Sequence, residues 1–130
     1  MTTSRQRYRR RPGRPVAAVQ LRLDTEGFAY RQWGAEQRCK PGDWLVDNAG
    51  EVYTVDAESF ARSYRAVGVG AYVKTAPVWA ERATAAGSVA TKEGRTHYAA
   101  GDYLVSNAED GTDAYAVEAA KFEAMYEPQG

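Results

Sequence analysis

Residues 40–55 read KPGDWLVDNAGEVYTV, and residues 99–117 read AAGDYLVSNAEDGTDAYAV. The chain makes nearly the same statement twice. Gly42-Asp43 falls on Gly101-Asp102, Leu45-Val46 on Leu104-Val105 and Asn48 on Asn107, all 59 residues apart. Past the asparagine the second stretch is three residues longer and the offset becomes 62. Tyr53 then matches Tyr115, Val55 matches Val117, Phe60 matches Phe122 and Tyr64 matches Tyr126. The common pattern is G-D-[WY]-L-V-x-N, a turn, Y-x-V and F-x-x-x-Y. Agreement over so many spaced positions points to a repeated structural unit.

Each part of the pattern has a mechanical reading. Lys40-Pro41-Gly42-Asp43 suits a type II turn, with Pro41 fixing φ and Gly42 supplying the positive φ at the third position. DWLV and DYLV are short β-favouring runs, with Trp44 and Val46 on one face and Leu45 on the other. NAGE and the longer NAEDGTD are loops between paired strands. Asp56 predicts an N-cap for AESFARSY, a helix with Phe60 and Tyr64 one turn apart on one face. Phe122 and Tyr126 repeat that pair.

Upstream, VAAVQLRL and PVWAERA read as leading strands, with Val19 on Val78 at the 59-residue offset. FAYRQW and GSVATKE follow as strands, then EQRCK and RTHYA. The expected fold is α+β and β-rich: two tandem repeats, each of about four strands plus a short C-terminal helix, packed as one pseudo-twofold body. The expected boundaries are a basic, disordered arm over 1–15, repeat 1 over 16–68, a linker over 69–74 and repeat 2 over 75–127. About fifty residues make a poor core alone, so the repeats are expected to pack together.

The bulk composition bounds function. The chain has 130 residues and a formal net charge of zero, but residues 1–14 hold six arginines and no acid. Eleven basic groups then face 17 acids in the remainder. No apolar run suits a membrane span or a secretory signal. Cys39 is the single cysteine, which excludes an internal disulfide and fits the reducing cytoplasm.

The doubled core resembles the PGDYG family, small bacterial and phage proteins of unknown activity. The resemblance rests on the P-G-D-[YW]-[LIV]-V turn and strand, the Y-x-V strand and F-x-x-x-Y. Ala100 stands where the first copy has Pro41. The resemblance implies a fold and a bacterial or phage setting, with no activity attached.

Candidate chemistry is sparse. Asp43 and Asp102 occupy matching places: either they face one cleft as an acid–base pair, or each accepts backbone amides in its own turn, the expected role. His97 is the sole histidine, and Arg38-Cys39 aligns with His97-Tyr98, so a Cys–His pair is the second catalytic idea. No catalytic constellation emerges, which points away from an enzyme. One cysteine and one histidine do not make a zinc site, and VGVGAY lacks the lysine and helix start of a phosphate loop, so no metal or cofactor is expected.

Trp44 and Tyr103, like Tyr53 and Tyr115, are equivalents and read as core. Trp33 and Trp79 lack aromatic counterparts, aligning with Lys92 and Gln20, and are the candidate ligand-binding residues. Arg5, Arg7, Arg9, Arg10, Arg11 and Arg14 are the candidate nucleic-acid contacts. RPGRP resembles an AT-hook core, with Pro12 where the hook has arginine. The expected function is a non-enzymatic binding or accessory module whose partner is an unidentified protein or small ligand. The alternatives are weak nucleic-acid association through the arm, and a small enzyme with carboxylates at an inter-repeat cleft.

Overall fold

The computed structural model describes residues 5–129, which form a β-rich α+β body. The strands are β1 (Gln6–Arg10), β2 (Val16–Gln20), β3 (Phe28–Gln32), β4 (Ala35–Cys39), β5 (Trp44–Asn48), β6 (Glu51–Val55), β7 (Tyr64–Gly68) and β8 (Ala71–Lys74). They continue with β9 (Val78–Arg82), β10 (Gly87–Ala90), β11 (Arg95–Tyr98), β12 (Tyr103–Ser106), β13 (Ala114–Val117) and β14 (Tyr126–Pro128). The helices are α1 (Ala57–Ser63) and α2 (Ala119–Met125). Among the described residues no helix is long and apolar enough to cross a membrane.

Two five-stranded antiparallel sheets organise the molecule, ordered β6-β5-β2-β8-β7 and β13-β12-β9-β1-β14. Two hairpins, β3-β4 and β10-β11, form separate two-stranded sheets that pack against β6 and β13 and touch each other through β4 and β11. The turns form as their residues dictate. Gly42 and Gly101 sit at φ 88° and 93°, and the following Asp43 and Asp102 amides bond back to the carbonyls of Lys40 and Ala99, both at 3.1 Å. Asp56 caps α1, accepting the amides of Glu58 at 3.1 Å and Ser59 at 3.2 Å.

Each sheet carries its own aromatic core. In the first, Trp44 stacks on Phe60 at 4.1 Å and Phe60 on Tyr64 at 4.5 Å, with Tyr72 edge-on to Phe60 at 5.1 Å. In the second, Tyr103 stacks on Phe122 at 4.2 Å and Phe122 on Tyr126 at 4.8 Å, with Tyr8 edge-on to Phe122 at 4.9 Å. Stacked and edge-on rings add roughly 0.5–1.5 kcal/mol per pair beyond burial. Phe60, Phe122, Val46 and Val105 are each at most 2% exposed.

Four expectations need correction. The basic arm is not a disordered tail: β1 lies between β9 and β14, with Tyr8 opposite Val78 and Pro128. Tyr8 supplies the reason, because its ring completes an aromatic core that the rest of the second sheet leaves open. The segment over 69–74 is no linker either, since β8 pairs with β7 and β2. Neither helix is the closing element expected of it, as β7 follows α1 and β14 follows α2 directly. Finally, the leading strands match at 62 rather than 59. Ala18 pairs with Val46 as Ala80 pairs with Val105, so Trp79 corresponds to Ala17 instead of Gln20. A longer loop after β2 shifts the register, and the loop between β12 and β13 shifts it again.

Candidate ligand cleft between the sheets

The two sheets meet at a row of side chains on the borders of the two cores. Tyr53 and Tyr64 come from the first sheet, Tyr115 and Tyr126 from the second, and they line a cleft of about 260 Å³ together with Arg10 and Lys74. Tyr64 and Tyr126 reach it because α1 and α2 end there: both residues leave the helix in extended backbone. Asn48 and Asn107, the last residue of the common G-D-[WY]-L-V-x-N pattern, also line it.

Lys74 is the half-buried centre of this site. Its Nζ donates to Asn107 Oδ1 at 3.2 Å and to Tyr115 OH at 3.1 Å. The ammonium sits 5.9, 5.5 and 5.7 Å from the rings of Tyr64, Tyr115 and Tyr126. Its hydrogen-bond partners are neutral, and among the described residues no carboxylate pairs with it. Burial opposes its charge, but Tyr115, Tyr126 and Tyr64 hold the ammonium well above the ordinary lysine range. Burial would likewise raise Tyr126, yet Lys74 and Arg10 outweigh it and push that phenol below its usual value. Burial raises Tyr53 and Tyr115. Arg10 Nη2 reaches Asn48 Oδ1 at 3.4 Å, and its guanidinium lies 5.7 Å from the Tyr126 ring.

One wall of the cleft, lined by Ser59, Glu93 and Asp113, is backed by Lys92 and Asp56. Lys92 Nζ donates to Asp56 Oδ2 at 3.2 Å and Ser59 Oγ at 3.0 Å, and Ser59 Oγ donates to Asp113 Oδ2 at 2.7 Å. Asp56 is also bonded by Lys40 Nζ at 3.1 Å. Burial opposes its ionisation, but the Ser59 amide, Lys40 and Lys92 lower its pKa to about 2. Glu93 shares this wall, and its Oε2 is buried with no hydrogen-bond partner. Burial, reinforced by Asp43 and countered by Lys40, raises Glu93 to about 7.

Trp33 and His97 line the cleft and Trp79 does not. Trp33 packs on Tyr53 at 5.7 Å and donates from Nε1 to Glu51 Oε2 at 3.3 Å. It occupies a turn position at φ 55°, followed by Gly34 at φ 80°. A bulky side chain in left-handed backbone is strained by about 1–2 kcal/mol. Trp79 lies instead beneath Arg7, whose guanidinium is 5.9 Å from its ring.

Asp43 and Asp102 do not face one another as a pair. Asp43 is 1% exposed and accepts the amides of Lys40 at 2.8 Å and Ala57 at 3.2 Å, plus Lys40 Nζ at 3.1 Å. Asp102 lines the cleft but accepts the Ala99 amide at 2.9 Å, which is its turn role. Cys39 is buried at 1% exposure while His97 is exposed, and no hydrogen bond between them is present among the described residues. No group of three or more His, Cys, Asp or Glu is placed to hold a metal ion among the described residues. Of the arm, Arg9 and Arg11 pair with Glu127 at 2.6 and 3.2 Å, and Arg5 bonds the Glu109 carbonyl at 3.3 Å.

Sequence reasoning missed Lys74, Arg10 as a cleft residue, and both asparagines. The available signal was Tyr8-x-Arg10 against Tyr72-x-Lys74, an aromatic and a cation at identical spacing. No family model, characterised protein or solved structure matches the chain.

Proposed function

We propose that the chain is a duplicated unit forming a non-enzymatic binding module, with its ligand held where the two copies meet. Several correspondences support the duplication. The sheet orders match position for position, with β6, β5, β2, β8 and β7 answered by β13, β12, β9, β1 and β14. Each unit thus reads as an opening strand, a second strand, a hairpin, two more strands, a helix and a closing strand. The opening strands are exchanged: β1 completes the sheet of the second copy and β8 that of the first. Such an exchange ties the halves about a pseudo-twofold relation. Kinship with the PGDYG proteins belongs to the same reading and is supported by the two Gly-Asp turns.

One observation carries the binding function: the junction of the sheets holds a cation lacking a carboxylate partner inside a cage of tyrosines. Packing alone gives no reason to desolvate a charge without an opposite one. A concave site with aromatic walls and a few convergent polar groups is what a small ligand requires. Catalysis is disfavoured because the matching aspartates are engaged in their turns.

Native mass spectrometry of the gently purified protein tests this reading. A non-covalent small-molecule adduct that dissociates on denaturation is the expected result. Only the bare chain mass, with no adduct after incubation with a metabolite library, would count against it.

A further inference from the structure

The passage from β1 to β2 builds a second cavity. Residues 11–15, Arg-Pro-Gly-Arg-Pro, carry the chain from the second sheet across to the first. The hollow there, about 310 Å³, has Arg10, Arg11, Arg14 and Lys74 in its lining and no carboxylate. Arg10 and Lys74 also line the tyrosine cleft, so the two spaces share that wall.

The donors in this hollow are under-used. Among the described residues Arg14 makes no hydrogen bond or ion pair. Lys74 spends two of its three N–H groups on Asn107 and Tyr115, and Arg10 makes one long contact with Asn48. Arg11 gives Nε to the Glu123 carbonyl and Nη1 to Glu127, leaving part of its fork. Pro12 and Pro15 stiffen the passage by fixing φ. A side chain on Gly13 would meet nothing within 4 Å, so its backbone is open to approach. Arg10, Arg14 and Lys74, none with a carboxylate partner among the described residues, join Arg11, paired with Glu127, around one concave surface. Like charges so gathered favour an anion.

We infer that this hollow binds the phosphate group of a small phosphorylated ligand whose remaining part enters the tyrosine cleft. Four cations suit a multiply charged oxyanion better than a single carboxylate, and guanidinium forks match phosphate oxygens. A long polyanion is disfavoured, because Glu123 and Glu127 flank the hollow at Arg11 and the body beyond the arm is acidic. The second half of the inference rests on the cleft as a ligand site; the anion hollow stands without it.

Calorimetric titration with inorganic pyrophosphate at low ionic strength tests the hollow alone. One saturable site is expected, weakened at least about tenfold by Arg14→Gln, the loss of one charge-assisted contact. Arg22→Gln, an exposed arginine bonded to Gln20, is the control and is expected to leave binding unchanged. Phenyl phosphate is expected to bind more tightly than inorganic phosphate, its ring reaching the tyrosines. No saturable pyrophosphate binding by the folded protein, or equal weakening by both variants, would overturn the hollow. So would affinity for an oligonucleotide that rises with its length and resists pyrophosphate, which would instead indicate a nucleic-acid surface. Pyrophosphate binding without any gain for phenyl phosphate would overturn the shared ligand. If pyrophosphate binds while native mass spectrometry finds no cleft ligand, the hollow survives and the cleft reading fails.

Discussion

Glu93 lines the cleft and Asp56 lies behind it at the start of α1, yet their environments send them in opposite directions. Asp56 has a folded-state pKa of about 2, so its stabilisation is present above the unfolded value near 4 and is lost as pH falls toward 2. Glu93, raised to about 7, works the other way: the fold prefers its neutral form, so stability is lost as pH rises from about 4.5 through 7. Glu93→Gln is therefore expected to raise the urea midpoint at pH 8 and leave it nearly unchanged at pH 4. A wild-type stability curve flat between pH 4 and 8 would contradict this.

The turn aspartates differ in the same concrete way. Asp43 accepts three bonds and Asp102 one: Lys40 gives Asp43 an ammonium that Ala99 lacks, and the Ala57 amide adds the third. Asp43→Ala is expected to cost about 2–3 kcal/mol and Asp102→Ala about 1 kcal/mol, both read by urea unfolding. Both roles were legible in the sequence as turn chemistry. Their unequal burial was not, since it depends on what packs above the turn.

At the scale of elements, β1 is where sequence and structure part company. Six arginines in fourteen residues look like a solvated tail. Alternation resolves the conflict: Tyr8 and Arg10 turn inward, while Arg7 and Arg9 face solvent over Trp79 and Glu127. Deleting residues 1–10 strips a strand from between β9 and β14 and uncovers Phe122. We expect a loss exceeding about 4 kcal/mol in unfolding experiments, whereas a mere tail would leave stability unchanged. The helices offer a milder test. Asp56 caps α1, but Glu118 places no side-chain bond at the start of α2. Glu118→Asp is expected to stabilise by about 0.5–1 kcal/mol. Most strands, both helices and both Gly-Asp turns could be read from periodicity and turn residues. The closing strands β7 and β14 and the opening strands β1 and β8 could not: β1 and β14 pair across almost the whole chain, and the β7-β8 hairpin has no alternating burial to mark it.

Across the whole molecule, the cleft belongs to neither half, and this explains how little of it the sequence disclosed. Tyr53, Tyr64, Tyr115 and Tyr126 looked like core because they recur in the sequence at matched spacing. Only the meeting of the two sheets turns recurring residues into one enclosed site. Trp33 and Trp79 were singled out together for lacking an aromatic counterpart, and of the two only Trp33 lines the cleft, from a turn in left-handed backbone. Lys74 tests the central claim most directly. If the cleft is built for a ligand, Lys74 serves that ligand and does not join the sheets, and a methionine of similar length should fit among the tyrosines. Urea unfolding of ligand-free Lys74→Met at pH 7 is expected to match or exceed the wild type. A loss greater than about 3 kcal/mol would mean that the lysine holds the sheets together, and that the cleft is a structural joint.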